Sequence, residues 1–157
     1  MLAMTTRWLD ADEQESWMQL ARLLVRLPAA LDRQLRRDAG LTHFEYGVLA
    51  ALSEQDPREL RMSTLASFAD GSLSRLSQVV SRLEARGWVE RVPDPADRRS
   101  TLARLTDAGW EKVVATAPGH VEEVRRLVLD PLTSAQVQQL RRICDRVNAA
   151  IDPGVSC

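Results

Sequence analysis

Between Arg61 and Leu105 the sequence sets out a short helical pattern, a glycine turn, a second amphipathic helix and two β-branched runs. This order restricts the fold more than any other stretch of the chain. The second helix is expected from Ser72 to Arg86, with Gly87 as its stop. Leu73, Leu76, Val79, Val80 and Leu83 recur at three- and four-residue spacing, which predicts one buried stripe. The opposite face carries Ser74, Arg75, Ser77, Gln78, Ser81 and Arg82, with Ser72 at its start. Solvated helix faces are ordinarily rich in Glu and Lys. Small hydroxyls, an amide and guanidinium groups are instead the types that reach phosphates and base edges.

The residues on either side complete a unit. A short helix over Ser63 to Ala69 buries Leu65, Ala66 and Ala69, and Asp70-Gly71 turns the chain into the polar-faced helix. Helix, short turn with Gly and helix is the spacing of a helix-turn-helix. Trp88 to Val92 and Thr101 to Leu105 then read as two strands of a hairpin. Their connection, Pro93 to Ser100, is too long for a two-residue turn and is stiffened by Pro93 and Pro95. It projects Arg98 and Arg99, and Asp97 beside them is expected to hold one guanidinium in a fixed direction.

Long helices flank this unit. One is expected from Ala11 to Asp38, with Trp17, Leu20, Ala21, Leu24, Leu27, Leu31 and Leu35 on its stripe. Pro28 should kink or divide it, and Gly40 should stop it. Thr42 to Glu45 is a capping box opening a helix with Phe44, Val48, Leu49 and Leu52. After Thr106-Asp107 comes a helix with Trp110, Val113 and Val114, which Pro118-Gly119 should interrupt and Pro131 should end. A second capping box at Thr133 to Gln136 opens the last helix, whose stripe holds Val137, Leu140, Ile143, Cys144, Val147 and Ile151. Cys144 is expected in the core and Cys157 at a mobile end. The fold class is mainly α with a small β-hairpin wing. One structural domain has three parts: an N-terminal dimerisation helix (1–40), a winged helix-turn-helix (41–109) and C-terminal dimerisation helices (110–157).

Charge narrows the function. The 157 residues have a net charge of −1, against a broad nonspecific nucleic-acid binder. Positive charge is nevertheless concentrated: residues 58–104 hold nine Arg against six acids, while both flanks are acidic. Lys112 is the only lysine, so every other basic contact is a planar guanidinium. Two cysteines suit neither a disulfide framework nor a zinc site. His43 and His120 stand apart from any ligand cluster, so neither a metal nor a cofactor is expected. No nucleophile triad, carboxylate pair or phosphate loop is present, which argues against an enzyme. The lack of an apolar leader or span predicts a cytoplasmic protein.

Together these pieces resemble the MarR family of bacterial transcription regulators. The resemblance is carried by Leu65-Ala66 and by a serine-rich helix ending Arg82-Leu83-Glu84-Ala85-Arg86-Gly87. The strand Val89-Glu90-Arg91, the wing Asp94-Pro95-Ala96-Asp97-Arg98-Arg99 and the closing Leu105-Thr106-Asp107-Ala108-Gly109 complete it. It implies a homodimer with interlocked terminal helices, binding an inverted-repeat operator in double-stranded DNA. Repression is the expected sign, modulated by a small ligand. The helix with Ser72, Ser74, Arg75, Ser77, Gln78 and Arg82 would enter the major groove. Arg99, oriented by Asp97, would enter the minor groove, with Arg98 on a neighbouring phosphate. Trp17, His43, Tyr46 and Trp110 would line a cleft for an aromatic or phenolic ligand. Members that sense hydroperoxides use a cysteine near the first two helices, and none is present here. The rival reading is a winged helix that binds proteins without direct DNA readout, favoured by the near-neutral net charge.

Overall fold

The structure is a computed structural model describing residues 6–67 and 72–151. The expected turn at Asp70-Gly71, Ala69 and Cys157 lie outside the described residues. The chain forms two compact units, residues 1–116 and 117–157.

Helix α1 spans Ala11–Ala39. Asp10 and Glu13 form a capping box at its start, each carboxylate accepting the other's backbone N–H. Of the two outcomes expected at Pro28, a kink or a division, the division does not occur: α1 continues through it. Proline removes one N–H donor and leaves the bonds of the flanking turns in place, which is enough to keep a 29-residue helix continuous. Gly40 closes α1 in the left-handed conformation. Two cations then take its last carbonyls: Lys112 Nζ donates to Ala39 O at 2.7 Å and Arg86 Nη1 to Gly40 O at 2.9 Å. The chain's single lysine is therefore a helix cap.

Helix α2 (His43–Ser53) begins at the anticipated capping box, with Thr42 and Glu45 bonded reciprocally. Strand β1 (Glu59–Arg61), absent from the sequence reading, leads into α3 (Met62–Ser67) and then α4 (Leu73–Ala85). Three residues are too short to show an alternating pattern, so β1 is defined only by its partner. Strands β2 (Val89–Pro93) and β3 (Thr101–Leu105) form the wing, and the antiparallel sheet has the order β1-β3-β2. Val89 pairs with Leu105 at its base and Pro93 with Thr101 towards its tip, while Leu60 pairs with Ala103. Helix α5 (Asp107–Val124) runs through Pro118-Gly119 without the expected interruption. A π-helical turn (Arg125–Leu129) precedes Pro131, and α6 (Ser134–Ile151) opens at the Thr133–Gln136 capping box.

The core of the first unit joins Leu35 and Leu41 to Leu49, Leu65, Leu76, Val80 and Leu83, with Val89, Ala103 and Leu105 from the sheet. Deleting one of these side chains, as in Leu83→Ala, costs about 2–5 kcal/mol. Two expectations fail. Leu73, assigned to the buried stripe, is 51% exposed on the first turn of α4. Cys144, assigned to the core, is exposed, because α6 buries no residue within the protomer. No helix among the described residues is long and apolar enough to cross a membrane.

Candidate nucleic-acid interface

Burial of Leu76, Val79, Val80 and Leu83 fixes the roll of α4. Ser74, Arg75, Gln78, Ser81 and Arg82 are therefore exposed and Ser77 is half-buried. Ser72 is the N-cap, its hydroxyl oxygen accepting the Arg75 N–H at 3.3 Å. The polar face is not uniformly available. Arg82 Nε donates to Glu45 Oε1 at 3.1 Å, and the other Glu45 oxygen accepts the Thr42 N–H at 3.0 Å. Burial by itself would raise the Glu45 pKa, but the Thr42 N–H and the Arg82 guanidinium outweigh it and hold the carboxyl below its ordinary range. The Arg75 guanidinium lies 4.9 Å over the Phe44 ring.

Ser77 departs furthest from the sequence reading. Arg91 on β2 reaches across to α4, where Nη2 donates to Ser77 O at 2.8 Å, Ser77 Oγ at 3.1 Å and Ser81 Oγ at 3.2 Å. Its other guanidinium edge pairs with Glu84, whose Oε1 also accepts the Arg91 backbone N–H at 2.9 Å. The Ser77 hydroxyl thus serves the joint between helix and wing. Sequence reasoning missed Arg91 as a functional residue. The signal was present: Ser77, Ser81 and Glu84 share one face of α4, three polar positions at four- and three-residue spacing.

At the wing tip, Asp94 is buried. One of its oxygens accepts the Ala96 N–H at 2.8 Å and the other Arg61 Nε at 2.6 Å. The Ala96 backbone bond and the Arg61 guanidinium hold its carboxyl below the usual carboxylate range, against the effect of burial. Asp97 does not grip a guanidinium as expected. Its carboxylate accepts the backbone N–H of Arg99 at 3.1 Å and the Ser100 hydroxyl at 2.9 Å. A short carboxylate is better placed to bond a backbone N–H two residues on than a long neighbouring side chain, and it closes a local turn. Arg98 and Arg99 are exposed and have no ion-pair partner among the described residues.

The base of the wing is fastened by the Leu105 to Gly109 motif. Thr106 Oγ1 donates to Gly87 O at 2.7 Å and accepts the Gly109 N–H at 3.0 Å. Gly87 leaves α4 at φ 74°, a backbone that favours glycine. A Cβ on Gly109 would sit 2.1 Å from Trp88 O, so the close approach of α5 to the strand requires a residue without one.

A cavity of about 570 Å³ lies between α1, α2 and α4. Arg36, Arg75, Arg82 and Asp32 are its charged lining, and Pro28, Phe44 and Val79 are among its apolar lining. Asp32 receives the His43 backbone N–H at 2.8 Å and Arg36 Nε at 2.5 Å. The Arg36 side chain and the His43 N–H keep its carboxyl below the usual range. Of the four aromatic and histidine residues expected to share a ligand cleft, only His43 lines this cavity. Tyr46 is buried in the core, Trp110 lies 3.8 Å beneath the Arg58 guanidinium, and Trp17 is exposed on α1. The family resemblance implied a shared cleft for the four, but their helices turn them toward different neighbours.

The MarR family sequence profile matches residues 39–100, from the end of α1 through the wing. The chain is 30% identical over 129 residues to the helix-turn-helix transcriptional regulator PecS of Dickeya dadantii, covering 82% of this chain and 76% of PecS. The chain belongs to the MarR family. This MarR protein is similarly 30% identical to the transcriptional repressor IacR of Pseudomonas putida, over 82% of its own length and 74% of IacR. Among solved structures it matches Sco3205, a MarR family regulator from Streptomyces coelicolor crystallised with DNA. That match has 45% identity and a TM-score of 0.90, over 97% of this chain and 95% of that one. As a MarR protein it is a DNA-binding transcriptional regulator with a winged helix-turn-helix, and its relatives are regulators rather than enzymes.

Proposed function

We propose that this protein is a cytoplasmic, homodimeric repressor that reads an inverted-repeat operator with two elements per protomer. The observation that carries the reading is the pairing of an exposed polar face on α4 with an exposed arginine pair on a separate, internally braced wing. Ser74 and Gln78 contact base edges in the major groove, Gln78 suiting adenine and Arg75 guanine. Leu73, exposed at the start of the helix, is an apolar contact for a thymine methyl. Arg99 enters the minor groove and Arg98 takes a phosphate. Residues 1–40 and 110–157 supply the dimer interface, and the repressor name of IacR supports the sign.

The cavity between α1, α2 and α4 is the proposed effector site. Three guanidinium groups against one carboxylate, beside an apolar wall with Phe44, suit a small aromatic acid. Arg75, Gln78 and Arg82 belong to both the cavity and the groove face, so a bound acid competes with DNA for the same side chains.

Selection of bound fragments from the source genome by the full-length protein tests the DNA reading. Recovery of a short inverted repeat is expected, with affinity falling steeply as salt rises. Gln78→Ala combined with Arg99→Ala should weaken binding by about tenfold or more. Unchanged affinity in that double variant overturns the assigned surface. Capture of a partner protein with no DNA recovered from the pool favours the interaction-module reading.

A further inference from the structure

The helix and the wing of this reader are separate elements, and two-groove readout requires a fixed distance and angle between them. Backbone bonding ties α4 to the base of the wing, where Trp88 N donates to Leu83 O at 3.0 Å, but beyond that base the ladder fixes the wing strands only to each other and to β1. We propose that Arg91 is the positioning residue that locks the wing to the recognition helix α4, so that Arg99 and Gln78 reach their grooves together. This rests on the assignment of α4 and the wing as the DNA-reading elements.

Three observations carry the proposal. First, one guanidinium bridges a strand and two successive turns of the helix: Nη2 donates to Ser77 O, Ser77 Oγ and Ser81 Oγ at 2.8, 3.1 and 3.2 Å. Second, Glu84 holds the same residue twice, by its side chain and by its backbone N–H, so the strand backbone and the side-chain fork are fixed together. A planar fork presents two edges in fixed directions to the two partners, whereas an ammonium is a compact charge on a flexible stem. Third, the joint is sheltered. The Arg91 and Glu84 side chains are 27% and 30% exposed, so their pairing is less screened than that of a fully exposed pair. Both terminal nitrogens of Arg91 are spent on the protein, so its role toward DNA is positioning rather than contact.

The test is a coupling measurement on full-length protein, with a duplex selected by the unaltered protein from a random-sequence pool as the probe. Arg99→Ala is expected to weaken binding by about tenfold or more in the otherwise unaltered protein. In the Arg91→Ala background the same change should cost less than about threefold, because the wing no longer reaches its groove. Arg91→Lys keeps the charge but loses the fork, and should give the same reduced coupling. It also carries the test if Arg91→Ala does not melt cooperatively. A residue that merely stabilised the fold would lower the melting temperature and leave the cost of Arg99→Ala intact; that result overturns the proposal. If Arg99→Ala has no effect even in the unaltered protein, the wing assignment fails first and the role of Arg91 falls with it.

Discussion

Two buried carboxylates, Glu45 and Asp94, tie the reading elements to the body of the molecule through Arg82 and Arg61. Both have folded-state pKa values below the ordinary carboxylate range. Their contribution is therefore complete above the unfolded values of about 4 and is lost as pH falls through the lower folded values. Thermal unfolding followed from pH 7 down to pH 3 should show the midpoint dropping below about pH 4. Asp94→Asn together with Glu45→Gln should flatten that drop, and an unchanged pH profile would remove these two groups from the account. Gly109 gives a second expectation at this scale. Gly109→Ala places a methyl 2.1 Å from the Trp88 carbonyl, a backbone atom that cannot swing aside. A loss of about 1–3 kcal/mol in denaturant unfolding is expected.

At the scale of elements, caps and clasps decide more than propensity. The Thr42 capping box starts α2 and simultaneously fixes the carboxylate that holds Arg82 of α4. Thr42→Ala should cost about 1 kcal/mol of stability. The Glu45 carboxylate keeps its bond to the backbone N–H of residue 42, so operator titrations should stay unchanged while circular dichroism melts record the lost cap. The wing is comparable: its tip is shaped by Asp94 and Asp97 through backbone N–H groups, leaving both arginines free to face outward. Both capping boxes named from the sequence, at Thr42 and Thr133, form as read, because a cap is a local event within four residues. Neither a division of α1 at Pro28 nor the interruption expected at Pro118 forms. A single missing donor is a weak local signal beside the intact turns on either side of it.

The whole molecule leaves much apolar surface uncovered in one protomer. On α1 the stripe begins with Trp17, Leu20 and Leu24, all exposed, and ends with Leu31 and Leu35 in the core. Helix α6 exposes Ile143, Val147 and Ile151 and buries nothing. Uncovered stripes of this kind mark an interface, and a second copy of the chain is the proposed cover. Sedimentation should give a dimer, and Leu20→Asp with Leu24→Asp should shift it to monomer with loss of operator binding. The net charge of −1 adds an expectation of its own: binding is confined to the local arginine cluster. The logarithm of the affinity should then fall against log salt with a slope of about −0.9 for each phosphate neutralised.

The sequence by itself determined the helix pair and the two strands of the wing, both internal caps and the polar residues of α4. Each of these is written in short-range periodicity or in motifs of a few residues, such as Thr106 to Gly109. Only the tertiary structure decided which polar residues remain available. Ser77 is drawn into the Arg91 clasp and Arg82 is held by Glu45. It also separated Trp17, Tyr46 and Trp110 from the cavity that His43 lines, exposed Leu73 and Cys144, and paired the three-residue strand β1 with β3. The physical reason is range. Periodicity tells which side of an element is apolar, whereas the partner of a guanidinium 14 to 37 residues away depends on how the packed elements meet.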